Sequence, residues 1–126
     1  TTKRLAKATD WCGVKTGAKV DKFKEMNLHK ENAKFVKCPM IKESPVSIEC
    51  KVKEIVELGS HHMFIADVLA INSDEKYIDD KGAFDISKCD LIAYSNGHYY
   101  ELGKKIGRFG FSVQKKQKNK KQVKKW

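Results

Sequence analysis

The chain has 126 residues, of which 40% are hydrophobic and 33% charged, which suits one domain with a core and excludes a wholly disordered polypeptide. No run of 18 or more apolar residues occurs and no signal-peptide pattern opens the sequence, so neither a membrane-spanning helix nor export is expected. Net charge is +10, but the last thirteen residues, QKKQKNKKQVKKW, hold seven lysines and no acid, which leaves +3 for residues 1–114.

Residues 1–114 are therefore read as the domain and 115–126 as a basic, disordered tail. Trp126 is the tail's single aromatic, so base stacking has no support and neither a specific nucleic-acid partner nor a membrane partner is expected. Cysteines stand at 12, 38, 50 and 89 with no CxxC pair, which argues against zinc knuckles and thioredoxin-type chemistry. Reduced thiols in a cytoplasmic protein are the expectation, with Cys50 a small buried hydrophobe.

In chain order, residues 1–12 read as a helix capped by Thr1 or Thr2 and stopped by Gly13, with Leu5, Ala8, Thr9 and Cys12 on one face. GVKTGAKV follows as a loop, and Asp21 caps a second short helix that turns Phe23 and Met26 inward. A short strand is expected around Lys34–Cys38, between connectors punctuated by Pro39 and Pro45. Val46, Ile48, Cys50 and Val52 then alternate with Ser47, Glu49, Lys51 and Lys53, the period-two pattern of a half-buried strand. Gly59-Ser60 breaks the run. Met63 to Val68 returns almost wholly apolar, as a strand buried on both faces would, and continues to Ile71. Asn72 to Gly82 is a polar loop with a short strand near Lys76–Ile78, and Asp85 to Lys88 is one helical turn. LIAYS-NG-HYYEL signals a hairpin closed by a two-residue type I′ turn, with Tyr94 opposite Tyr99. Strands dominate, with small helices in front, so the class is mainly β: an antiparallel barrel or strongly bent sheet.

The loop Gly13–Lys22 is the best local site. Lys15, Lys19 and Lys22, the Thr16 hydroxyl and the amides beside Gly17 could hold a phosphate, although the spacing is not that of a P-loop. On composition alone, a solvated basic turn explains the same residues. His61 and His62 are adjacent on a strand, point to opposite faces and cannot share a metal, so no metal site is expected. Tyr99 and Tyr100 read first as hairpin packing, and Asp79, Asp80 and Asp85 as solvated charge.

Taken together, GVK-T-G-x-x-VDKF, SPV-x-I-EC-K-V, ELG-x-H, MFI-x-D-V and G-x-YY-x-LG resemble the flavin reductase-like proteins, specifically the flavoredoxin branch. The resemblance implies an FMN-binding split barrel, here beginning beyond the family's N-terminal part and so incomplete at that end. It implies that Lys15, Thr16, Gly17 and Lys22 lie on the phosphate side of FMN, and that Tyr99 approaches a flavin. It also implies that His61 is a positioning or proton-handling residue near flavin and nicotinamide. Ala66 departs from the family pattern, which has glycine there. A homodimer with FMN between subunits, NAD(P)H as electron donor and a redox partner protein are implied as well. The expected function is a flavoredoxin-like electron carrier or an NAD(P)H:flavin oxidoreductase. The alternative is a truncated, catalytically inactive barrel that serves as an interaction module.

Overall fold

The computed structural model describes residues 1–114; the expected disordered tail lies outside the described residues. The chain opens with a single turn of 3-10 helix, Lys3–Leu5, in which the Leu5 N–H donates to the Thr2 hydroxyl, and continues directly into α1 (Ala6–Val14). The helix runs one residue past Gly13, which takes ordinary helical backbone, and ends where the Lys15 N–H closes on the Trp11 carbonyl. Asp21 caps α2 (Lys22–Glu25) by accepting from the N–H groups of Phe23 and Lys24. Phe23 and Met26 are half-buried, as expected.

Three two-stranded antiparallel sheets follow. They are β1 (Lys30–Glu31) with β2 (Met40–Ile41), β3 (Val46–Glu57) with β4 (His62–Ser73), and β5 (Ile92–Ser95) with β6 (His98–Glu101). The architecture is mainly β with small helices, the class the sequence predicts. At the β5–β6 turn Asn96 and Gly97 both take positive φ, at 48° and 79°, as a type I′ turn demands, and Tyr94 faces Tyr99 with ring centroids 5.0 Å apart. Thr2 bridges to Leu91 and the Lys3 N–H donates to the Asp90 carbonyl, which ties the start of the chain to this hairpin.

Two expected short strands do not form. At 34–38 the backbone bends, because the successive N–H groups of Lys34, Phe35 and Val36 all converge on the Glu49 carboxylate. In a strand, successive N–H groups point to opposite sides, so convergence on one acceptor rules the strand out. At Glu75–Tyr77 the chain makes a 3-10 turn, capped by the Asp74 side chain.

The β3–β4 ribbon carries the central surprise. Its ladder contains two irregularities, one skipping Leu69 on β4 and one skipping Lys53 on β3. They cancel, since the pairs on either side of them share one register. Because each extra residue is left out of the ladder, Val46, Ile48, Cys50, Val52 and Ile55 stay on one face with Phe64, Ala66, Val68 and Ile71. Without the slip at Lys53, Ile55 would fall on the opposite side.

That apolar face is not the covered one. Glu49, on the opposite face, is 2% exposed, whereas Ile48, Val52, Ile55, Phe64, Val68 and Ile71 are each half or more exposed. Cys50 is exposed too, against the expectation of a buried small hydrophobe, and β4 is open rather than buried on both faces. Among the described residues no element packs on the apolar side, and the buried hydrophobic residues reduce to Leu5 and Cys89. Covering the exposed half of those six side chains would contribute about 1 kcal/mol apiece, a sum comparable to the whole stability of a small domain.

Candidate functional site

The turn that leaves α1 gathers the basic loop. Thr16 shapes it: its carbonyl accepts from the Lys19 N–H at 3.2 Å and its hydroxyl from the Ala18 N–H at 3.4 Å. Lys22, in the first turn of α2, reaches back 2.5 Å to the Cys12 carbonyl near the end of α1. This stitches the two ends of the loop together, and it places a positive charge where the α1 carbonyls leave partial negative charge. A β-carbon on Gly17 would meet the Lys22 side chain at 3.8 Å, so the Lys22 stem runs close beneath that backbone. Among the described residues no carboxylate lies within ion-pair distance of Lys15, Lys19 or Lys22. Lys15, Thr16, Gly17 and Lys19 are exposed and Lys22 is half-buried.

Tyr99 comes to the same helix from the far end of the sequence. Its hydroxyl donates to the Asp10 carboxylate on α1 at 3.2 Å, a contact spanning 89 residues. Partial burial and the neighbouring Asp10 charge push the Tyr99 phenol above its ordinary value. Tyr99 and the Lys22 ammonium are thus both attached to α1 within two residues of each other, at Asp10 and Cys12. Tyr99→Phe is expected to lower the thermal midpoint by only a few degrees, because the Tyr94 ring contact survives and only the Asp10 hydrogen bond is lost; thermal unfolding followed by circular dichroism measures it.

His61 stands apart. It sits in the turn between β3 and β4, with Nδ1 2.8 Å from the Ser60 hydroxyl and its carbonyl accepting from the Leu58 N–H at 2.9 Å. Among the described residues no hydrogen bond or ion pair joins it to the α1 loop or to Tyr99. Ala66, paired with Val52 in mid-ribbon, lies on the open apolar face. His62 makes only a loose 4.0 Å approach to Glu57, and no cluster of metal-ligating residues occurs among the described residues.

The residue that sequence reasoning missed is Glu49. It accepts from the N–H groups of Lys34 (3.0 Å), Phe35 (2.6 Å) and Val36 (3.1 Å) and from the Asn72 amide (2.9 Å). Burial works against its charged form, but these donors outweigh burial and hold the carboxyl below its ordinary value. Its place on the polar parity of β3 reads as solvent-facing; only the loop folding over it makes it an anchor. A cleft of 260 Å³ between Lys3, Asp90, Glu101 and Lys105 includes none of the predicted site residues.

The sequence profile described as "Flavin reductase like domain" matches residues 2–103. The structure is similar to that of the flavoredoxin of Desulfovibrio vulgaris (Miyazaki F), with 25% identity and a TM-score of 0.81 over 90% of this chain and 61% of that one. It is similar also to the flavoredoxin of Methanosarcina acetivorans, with 30% identity and a TM-score of 0.74 over 90% and 62%. A split-barrel-domain protein of Shewanella frigidimarina NCIMB 400, 19% identical, shares the fold with a TM-score of 0.71 over 86% and 56%. The fold is therefore that of the split barrels, and the chain spans roughly three fifths of these solved chains. It spans 39% and 41% of two curated relatives that it matches.

Proposed function

The chain belongs to the flavin reductase-like family, and from that premise we propose that it is the part of an FMN-dependent oxidoreductase or electron carrier that holds the flavin phosphate. The observation that carries this reading is the Lys15–Lys22 loop, three cations around one turn with no carboxylate partner among the described residues. The donor set fits a terminal phosphate monoester: ammonium groups, the Thr16 hydroxyl and loop amides all donate or carry positive charge. Lys22 spends one of its three N–H donors on Cys12 and keeps two for an anion.

Bound there, FMN would supply hydride acceptance from a reduced nicotinamide and electron release to an acceptor. The residues of this chain hold and orient. Lys15 and Lys22 neutralise the phosphate, and Lys22, pinned at Cys12, fixes how far it can reach. Tyr99, on β6 and pinned to Asp10, offers a ring surface beside the same helix. His61, with one ring nitrogen engaged by Ser60, keeps the other to orient a nicotinamide or pass a proton at that atom. A second copy of the chain, or the part of the barrel that longer relatives possess, covers the apolar face of β3–β4 and brings His61 to the flavin. Cytoplasmic residence and a protein redox partner belong to the same proposal.

A second reading has its own support. The uncovered apolar face favours an inactive barrel fragment that acts by association. Titration of the chain with FMN, followed by quenching of flavin fluorescence, separates the two. Saturable binding at about micromolar levels, about −8 kcal/mol, supports the first. Absence of binding up to about millimolar FMN (about −4 kcal/mol) overturns it and leaves the second.

A further inference from the structure

The cleft beside the start of the chain is framed by three segments. The Lys3 N–H donates to the Asp90 carbonyl at 2.8 Å and the Leu102 N–H to the Leu91 carbonyl at 3.3 Å, which holds the first residues, the start of β5 and the end of β6 together along it. Its volume is 260 Å³. Sites for drug-sized ligands run to about 300–1,000 Å³, so this one suits a ligand of on the order of ten non-hydrogen atoms. Three aliphatic side chains line it: Leu91 is half-buried, while Ile86 and Leu102 are 57% and 59% exposed. Four charged side chains line it too. Two of them satisfy each other, since Lys3 Nζ lies 2.5 Å from the Glu101 carboxylate. That hydrogen bond and the Glu101 charge, with a smaller contribution from Asp90, hold Lys3 above its ordinary value. The other two, Asp90 and Lys105, make no ion pair among the described residues. Asp90 lies toward Lys3, whereas Lys105 lies toward Asp85, which is held low first by Ser87 and in smaller part by Lys105. One anion and one cation thus stand on separate segments around one aliphatic patch.

We propose that this cleft binds a free aliphatic α-amino acid, with its side chain against Ile86, Leu91 and Leu102, its ammonium on Asp90 and its carboxylate on Lys105. Charge selects the class. The four charged side chains sum to zero, so a simple carboxylate that meets Lys105 also faces Asp90, and a simple amine that meets Asp90 also faces Lys105. A zwitterion satisfies both at once, and each contact is a charge-assisted hydrogen bond. A phosphate ester is disfavoured, because Asp90 and Glu101 repel a dianion. The aliphatic patch calls for a branch that carries no charge of its own, which an α-amino acid has and a straight-chain ω-amino acid lacks. None of the lining residues belongs to the Lys15–Lys22 loop, so this site stands whether or not that loop holds a flavin phosphate.

The test is titration of the isotope-labelled 126-residue chain with leucine, followed through the amide chemical shifts of Ser87, Leu91 and Leu102. Saturable shifts confined to the cleft are expected at about millimolar leucine. Glycine lacks the side chain, isocaproate the ammonium and isoamylamine the carboxylate, and each should bind at least about tenfold more weakly. Aminocaproate, the straight-chain isomer of leucine, should be weaker as well. Asp90→Asn and Lys105→Gln should each weaken leucine about tenfold. Asparagine tolerates the φ of 48° at position 90, and Lys105 is exposed, so both variants should keep the wild-type thermal midpoint. If Asp90→Asn nonetheless fails to fold, Lys105→Gln decides. Lys15→Glu, in the basic loop, should leave leucine binding unchanged. The proposal is overturned by no saturable shift up to about a hundred millimolar leucine, or by shifts that cluster away from the cleft. It is equally overturned if isocaproate, isoamylamine or aminocaproate matches leucine, or if the Lys105 variant binds leucine as wild type does.

Discussion

Glu49→Ala is expected to lower the thermal midpoint of the chain by about 10 °C or more, the largest effect of any single substitution here, because it strips the shared acceptor from four part-buried hydrogen bonds at once. The N–H groups of Lys34, Phe35 and Val36 and the Asn72 amide would lose this partner, and the 34–38 bend would lose the group that shapes it. Glu49→Gln keeps the shape but offers one carbonyl oxygen in place of two charged ones, so it should fall between wild type and alanine. The pH dependence follows from the same site. Its folded carboxyl sits below its ordinary value, so its contribution is present above the unfolded value near 4.5 and is lost as pH falls through the lower folded value. Glu43, Asp74 and Asp85 are held low as well, Glu43 chiefly by the His29 ring, Asp74 by Lys76 and Asp85 by Ser87. Wild type should therefore melt at a lower temperature in acid than at neutral pH, and Glu49→Gln should shrink that difference without removing it. Equal acid sensitivity in the two proteins, measured by calorimetry, would remove Glu49 from this role.

Lys15→Glu with Lys22→Glu should weaken FMN binding about 100-fold, since two attractions to a phosphate dianion become repulsions. Riboflavin, which lacks the phosphate, provides the internal control. If the loop holds the phosphate, the double variant loses FMN affinity and its salt dependence while any riboflavin binding is unchanged. Equal losses for both ligands would mean that the loop has collapsed, because Lys22 also closes it onto Cys12. Lys15→Glu alone guards against that outcome, because the Lys15 side chain has no intramolecular partner among the described residues. A double variant that binds FMN as wild type does would place the phosphate elsewhere.

What the sequence discloses here is local chemistry, and what it conceals is coverage. Asn96-Gly97 specifies the β5–β6 turn outright, because few other pairs accept two positive φ values in succession. Asp21 announces α2, and the alternation from Val46 to Val52 announces β3. The lysines of the α1 loop are legible as a basic turn, and Tyr99 as a hairpin residue; that both attach to α1 is a tertiary fact linking positions 89 residues apart. Alternation tells which side chains share a face but not whether anything lies on it. Cys50 and Ile48 are therefore assigned correctly to the apolar face, yet that face stands open. Glu49 shows the converse: a carboxylate on the polar parity is taken for a solvated charge until three amides of a remote bend are found pointing at it.

The two cancelling slips in the β3–β4 ladder also bear on how the chain avoids its own kind. Each strand of a two-stranded ribbon leaves one edge of backbone donors and acceptors that an extended segment of another molecule can join. Twelve uninterrupted residues beside an apolar face would be an efficient template for such growth. Lys53 divides one edge after Val46–Val52 and Leu69 divides the other after His62–Val68, so each keeps no more than seven residues in line. A straight incoming strand loses its register at either break, and at Lys53 it also meets a charge. The irregularity that keeps Ile55 in phase with Val52 thus doubles as a stop against fibrous self-assembly during synthesis, before anything has covered the ribbon.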